Sequence, residues 1–131
     1  MFHAVHLEEN AMKYLCLLHY DLAKFETLTP ARLEALGKEC APYNAALQAS
    51  GQQVAVGSLQ HGTSMILRVR DGKPSTSEGT IASTVGAVLI VEARDLNDAV
   101  RVASLHPAAC TGEDLGWAVE VRPFQMFESK A

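Results

Sequence analysis

Two segments of this chain are apolar on both faces of an extended strand, and they constrain the fold more than any other feature. Residues 13–20 read KYLCLLHY and residues 85–91 read VGAVLIV. Because successive side chains of a strand point to opposite faces, such runs predict strands that are covered on both sides. The fold therefore needs two covering layers for one sheet.

The first of two helical patterns follows Thr29, a capping residue, and Pro30, which suits the first helical position. Gly51 ends it, because glycine accepts the left-handed conformation. Pro42 lies inside the pattern and predicts a kink near Ala41 or a division into two short helices.

The second helical pattern begins after Asp95, which can cap it. It ends at His106, because the residue before a proline is disfavoured in a helix, and residue 107 is proline. Two helices can cover only one face of a sheet.

Four further strands complete the pattern, and two of them form a hairpin. Asp71 and Gly72 both tolerate positive φ, which favours a two-residue turn. The element order β-α-β-β-(β)-β-α-β predicts an α+β fold, a ferredoxin-like sandwich with an added β-hairpin strand. These strands are predicted at residues 53–59, 63–70, 74–76 and 117–124.

The second face of the sheet has to be covered by something outside this fold. A second copy of the chain is the simplest candidate, because two sheets can close face to face into a barrel-like dimer. We therefore expect a homodimer, with a small-molecule ligand in a cavity lined by the faces that the helices leave free.

Charge and composition exclude several classes of partner. The net charge is −4 and no Lys/Arg cluster is present, so we expect no nucleic acid. The longest apolar run is too short to cross a bilayer, so we expect no membrane partner. Three cysteines without a CxxC spacing are typical of the reducing cytoplasm. We predict a flexible extension over residues 1–11, one domain over 12–125 and a tail over 126–131.

Three polar side chains near the C-terminus are the first candidates for chemistry. His106 is predicted at a helix C-terminus, where the helix dipole favours the cation and raises the pKa of the imidazole. Glu120 and Arg122 share one face of the last strand. His106 and Glu120 would act as a general acid/base pair, and Arg122 would bind an acidic ligand. The structural alternative is that His106 caps the helix and that Glu120 and Arg122 form ion pairs.

His19 and Asp21 are the second candidates, because they lie two residues apart on one strand face. A histidine beside a carboxylate can carry protons. The alternative is a histidine at a strand end followed by a solvated aspartate. The histidines of the chain lack metal-ligand spacing and no phosphate-binding loop is present, so we predict no metal and no cofactor.

Five short segments of the chain are informative in combination, namely Met12-Lys13-Tyr14, Asp71-Gly72, Glu78-Gly79, His106-Pro107-Ala108-Ala109 and Val119-Glu120-Val121-Arg122-Pro123. Together they resemble the YCII-related family, and specifically its DGPF-domain branch. The resemblance covers about residues 12–124 and implies a small dimeric α/β-barrel protein. Some relatives of this kind act as lyase-like or dehalogenating enzymes on small aromatic compounds, with a His–Asp pair as catalytic residues. Members of the DGPF branch often neighbour, or are fused to, sigma factors.

The segment that gives the branch its name departs from the family pattern. Glu78-Gly79-Thr80-Ile81 stands where the family has Asp-Gly-Pro-Phe. The acid and lysine that usually follow are replaced by Ser83-Thr84 and Val85. The resemblance places Glu78 among the ligand-binding residues, in a pocket that is less charged than those of the relatives.

Three functional hypotheses follow. The first is an enzyme acting on a small aromatic or acidic metabolite, with His106 and Asp21 as proton carriers and Arg122 as the anchor. The second is a non-catalytic ligand-binding or regulatory dimer, linked to a sigma factor. The third is a subunit whose cavity is filled and whose surface binds a protein partner.

Overall fold

A four-stranded antiparallel sheet with helices on one face forms the centre of the fold. The computed structural model describes residues 11–62 and 64–130, so the predicted extension over residues 1–11 lies outside the described residues apart from Ala11. The strands of this sheet are β1 (Met12–His19), β2 (Gln53–Ser58), β5 (Val85–Ala93) and β6 (Ala118–Pro123). They are arranged in the order β2-β5-β1-β6. This order confirms the predicted ferredoxin-like α+β fold and places the apolar β5 inside the sheet.

Two of the helices were predicted from the sequence, and they are α2 (Pro30–Ala49) and α3 (Leu96–Ala103). The side chain of Thr29 accepts a hydrogen bond from the Arg32 amide at the start of α2. The helix runs unbroken through Pro42, so it is one helix rather than two. A proline leaves a carbonyl one turn earlier without its amide partner, and both Pro42 and Lys38 are exposed, so water can reach that carbonyl.

Two short helices occur in segments for which the sequence predicts neither a helix nor a strand. They are α1 (Leu22–Glu26) and α4 (Pro107–Cys110), and a single 3-10 turn follows at Glu113–Leu115. Asp21 caps α1 and His106 caps α4 through side-chain acceptors. Helices this short have no apolar period to detect, and their capping residues stabilise them instead.

The predicted hairpin forms a separate two-stranded sheet rather than extending the main sheet. Its strands are β3 (Met65–Arg70) and β4 (Lys73–Glu78), and positive φ angles of 53° at Asp71 and 77° at Gly72 confirm the turn between them. One face of β3 is apolar, and its side chains are widely exposed: 56% for Met65, 67% for Leu67 and 81% for Val69.

The core lies between the main sheet and the helices. Tyr14, Cys16 and Leu18 are buried there, whereas Leu15 and Leu17 on the opposite face of β1 are only half-buried. The strand alternation predicted this division of β1. The helices therefore cover one face of the sheet and leave the other open. The core residues are Tyr14, Cys16, Leu18, Leu47, Leu89, Val91, Ala93, Ala99, Val102, Ala103 and Ala108.

Candidate functional site

A pocket of about 400 Å³ lies between α2, α4 and one end of the main sheet. It opens on the helix side of the sheet, whereas the predicted cavity lay on the opposite face. Among the described residues that line it, none is Asp, Glu, Lys or Arg. Its polar groups are imidazole, phenol, amide, hydroxyl and thiol groups. Much of the remaining wall is apolar and includes Leu18, Phe25, Val56, Leu59, Pro107 and Trp117.

His106 lines this pocket, and its local geometry differs from the prediction. Helix α3 ends at Ala103, and His106 is the N-cap of the next helix, α4. The predicted effect of a helix C-terminus on the imidazole therefore does not apply at this position. Burial lowers the pKa of His106, and the prediction of a raised pKa is therefore wrong.

One nitrogen of His106 is already occupied by the backbone. Its Nδ1 atom accepts a hydrogen bond from the amide of Ala108 at 2.9 Å. In a neutral imidazole the other nitrogen then carries the proton, so Nε2 is a hydrogen-bond donor. No residue in the described ranges hydrogen-bonds to this Nε2 atom. His106 therefore contributes a neutral donor to the pocket rather than a base.

Tyr20 and His61 form a second polar group in the pocket, which sequence reasoning missed. The Tyr20 hydroxyl lies 2.7 Å from His61 Nδ1. The His61 ring stacks on Phe25 with centroids 5.2 Å apart, and Tyr20 meets Phe25 edge-on at 5.7 Å. These three rings form one wall of the pocket, which we call the aromatic wall.

Gly86 provides the space that the Tyr20 ring occupies. A Cβ atom at position 86 would lie 2.7 Å from Cε1 of Tyr20, closer than real Cβ contacts allow. Gly86 belongs to β5, and the amide of Tyr20 bonds to the carbonyl of Thr84 at 2.8 Å, just before that strand. The end of the sheet therefore fixes both the backbone and the ring of Tyr20.

His19 lines the pocket as well, but its partner is not the predicted one. Its Nε2 atom lies 2.8 Å from Glu120 Oε1, and its Nδ1 atom lies 2.8 Å from Thr84 Oγ1. Asp21 instead caps α1, where its Oδ1 accepts from the Lys24 amide at 3.3 Å. The sequence paired His19 with Asp21 and His106 with Glu120. The structure instead brings His19 and Glu120 together.

The remaining predicted residues lie away from the pocket. Glu120 and Arg122 are exposed on β6, and Glu78 is exposed at the end of β4. None of these three lines the pocket, and the partner of Glu120 is His19 rather than His106. Within the described ranges, no group of three His, Cys, Asp or Glu side chains is arranged to hold a metal ion. No helix in that part of the chain has the length and apolar character needed to cross a bilayer.

The comparison with known families agrees with the resemblance seen in the sequence. The family model described as the YCII-related domain matches residues 12–125, which is nearly the whole described chain. The match contains every element of the fold and all residues that line the pocket. No curated protein matches the chain.

Proposed function

This chain belongs to the YCII-related family, and we propose that its pocket binds a small, uncharged, planar molecule and polarises an oxygen atom of that molecule by hydrogen bonding. The observation that carries the proposal is that His106 lines a largely apolar pocket and that its neutral ring keeps an Nε2–H donor, because Nδ1 is occupied by the Ala108 amide. In such a site a fixed donor polarises a ligand oxygen far more strongly than it would in water.

The lining of the pocket supports an uncharged ligand. A carboxylate that enters the pocket leaves water without meeting a cation among the described lining residues, and this transfer is costly. The aromatic wall and the Trp117 ring instead offer flat surfaces for an aromatic ligand. The volume of about 400 Å³ suits a small molecule. An aromatic ketone meets these requirements, because its carbonyl oxygen can accept from His106.

Binding of two matched probes tests this proposal. Acetophenone is uncharged and benzoate is anionic at neutral pH, while the two molecules are similar in size. We expect the protein to bind acetophenone more tightly, as measured by NMR line broadening of the probe. His106→Asn keeps an acceptor for the Ala108 amide but changes the donor, and it should weaken binding by roughly fivefold to tenfold.

Arg122, which is exposed on β6, provides the control variant, and its loss also defines a result that would contradict the proposal. Arg122→Ala should leave acetophenone binding unchanged, because Arg122 does not line the pocket. Preference for benzoate, lost in Arg122→Ala, would support the ligand-binding role predicted for Arg122, Glu120 and Glu78 and would overturn the proposal. Equal binding by the wild-type protein and His106→Asn would also contradict it.

We also propose that the chain works as a homodimer. Leu15, Leu17, Val88 and Ile90 are half-buried on the sheet face that the helices leave free. The apolar face of the β3–β4 hairpin is exposed as well, and an isolated two-stranded hairpin is only marginally stable. A second copy can cover both surfaces in one symmetric contact.

Light scattering tests the dimer. Leu17→Lys and Val69→Lys should shift the protein toward the monomer. Val100→Lys is the matched control, because Val100 is 50% exposed on α3, away from both surfaces. A monomeric wild-type protein would overturn the dimer proposal and leave the pocket proposal untouched.

A non-catalytic ligand-binding regulator is the second candidate function. The altered Glu78–Ile81 segment favours it. The resemblance to the DGPF branch, whose members are associated with sigma factors, also favours it and is part of this proposal. The three free cysteines fit a cytoplasmic location for either function. Under this alternative, acetophenone binds but is never chemically changed.

A further inference from the structure

We infer that Tyr20, held by His61, is a proton-transfer group of this pocket and that its ligands are carbonyl compounds with a removable proton next to the carbonyl. This inference rests on the proposed function, because it uses the same pocket and the donor of His106. It adds the group that moves the proton, which the neutral His106 does not provide.

The geometry of Tyr20 is suited to this role. Tyr20 lines the pocket, its hydroxyl lies 2.7 Å from His61 Nδ1, and its ring is confined by Gly86 on one side and Phe25 on another. A proton can move between the two atoms without rearrangement of either ring, because that distance is a short hydrogen bond. Tyr20 is therefore already oriented before a ligand arrives.

His61 connects this pair to the solvent. It is exposed on the segment after β2, whereas Tyr20 is half-buried. Stacking on Phe25 fixes the plane of the imidazole and leaves its edge, where the nitrogens lie, free for hydrogen bonding. The pair thus forms a two-step path for a proton, from the pocket through the phenol to the imidazole and then to water.

The proton transfer needs no reactant other than the ligand, Tyr20 and His61. When His61 Nδ1 is unprotonated, the Tyr20 hydroxyl donates to it. As the C–H bond next to the ligand carbonyl breaks, its proton passes to the Tyr20 oxygen while the original hydroxyl proton passes to His61 Nδ1. The C–H electron pair remains on the ligand as an enolate, and His61 becomes an imidazolium. The reverse transfer returns a proton to the same or another carbon of the ligand.

His106 supplies the matching interaction for the enolate oxygen. Its Nε2–H donates to the oxygen on which negative charge develops, and burial keeps the imidazole neutral by lowering its pKa. The structure therefore provides a proton acceptor and an oxyanion donor in one pocket, an arrangement that serves enolisation and proton-shift isomerisation.

Hydrogen exchange into acetophenone tests the inference directly. Its methyl group next to the carbonyl exchanges protons for deuterons in heavy water, and proton NMR follows the loss of the methyl signal. We expect the wild-type protein to accelerate this exchange. Tyr20→Phe keeps the ring but removes the hydroxyl, and it should lower the acceleration by about a hundredfold or more while acetophenone still binds. Tyr43→Phe, on α2 and outside the pocket lining, is the matched control and should exchange like the wild type.

His61 acts on the ligand only through Tyr20 and is therefore a positioning residue. Its test needs a measurement that would not change if His61 had a purely structural role. His61→Gly should lose the acceleration, and added imidazole should restore part of it, because the site of His61 is exposed. Circular dichroism of each variant checks that the fold is intact.

The outcomes separate this inference from the proposed function. If acetophenone fails to bind, the proposed function fails and the inference fails with it. If acetophenone binds through His106 but its methyl exchange is not accelerated, or if folded Tyr20→Phe exchanges it as fast as the wild type, only the inference is overturned.

Discussion

The carboxylate of Glu120 lies 2.8 Å from Nε2 of His19, and the contact joins β6 to β1 at the end of the sheet. An ionised carboxylate can only accept a hydrogen bond, so Nε2 of His19 donates. In the neutral ring Nδ1 then accepts from the Thr84 hydroxyl at 2.8 Å. His19 is thereby held between the segment that precedes β5 and the last strand.

Loss of this hydrogen bond should change stability only slightly. The side chains of His19 and Glu120 are 26% and 48% exposed, and pairs that water reaches contribute little. We expect Glu120→Gln to change the free energy of unfolding by less than about 1 kcal/mol in urea titrations. A loss of about 2 kcal/mol or more would show that the His19–Glu120 contact holds the sheet together.

The stability of the protein should depend on pH through His106. Burial lowers its pKa below the ordinary value of 6.5, so between these two values the unfolded chain binds more protons than the folded one. The contribution of the neutral ring is complete above about 6.5 and is lost as the pH falls through the lower, folded pKa. NMR titration of the imidazole carbon-bound protons measures the shift.

His106→Asn isolates this effect, because asparagine keeps an N-cap acceptor but does not titrate. Its free energy of unfolding should decline less than that of the wild type when urea titrations are repeated at decreasing pH. Parallel declines for the two proteins would contradict a lowered pKa at this position.

Two glycines with similar backbone angles should respond differently to alanine. Gly51 and Gly112 have φ angles of 73° and 75°, but an added Cβ meets open space at Gly51 and the Trp117 ring at Gly112. Gly51→Ala carries only the left-handed backbone cost of about 1–2 kcal/mol. Gly112→Ala adds overpacking and should cost about 3 kcal/mol or more. Urea titrations followed by circular dichroism compare the two, and equal losses would show that the indole moves aside freely.

The three cysteines should react with iodoacetamide in order of exposure. Cys110 is exposed, Cys40 is half-buried with its pKa raised mainly by burial, and Cys16 is buried with its pKa raised to about 11. Because the thiolate is the reacting form, we expect Cys110 to be alkylated first and Cys16 only on unfolding. Mass spectrometry of digested samples assigns the sites. Cys110→Ser should remove the fast phase, and early alkylation of Cys16 would contradict the buried core.

The parts of this molecule that the sequence predicts are those set by local patterns. Alternation separates the buried Tyr14, Cys16 and Leu18 from the other face of β1, because period two is a property of the strand itself. The turn at Asp71 and Gly72 follows from backbone preferences alone. These features need no knowledge of distant residues.

The candidate site depends on contacts that no local pattern carries. Tyr20 and His61 are separated by 41 positions and meet only when β1 and the segment after β2 are placed by the sheet. His106 precedes a helix rather than ending one, because a four-residue helix starts at Pro107, and a helix that short has no apolar period to detect. One sequence signal for the position of Tyr20 was Gly86, because a glycine inside an otherwise apolar strand indicates that another group approaches closely. In the structure that group is the Tyr20 ring.

Trp117 is the single tryptophan of the chain, and it lines the pocket. Its indole packs against Gly112, on the loop that leads into β6. The tryptophan fluorescence of the unlabelled protein therefore comes from one site, and that site is in the wall of the proposed ligand pocket. A compound library can therefore be screened against the unlabelled protein by the change in tryptophan emission when a compound binds.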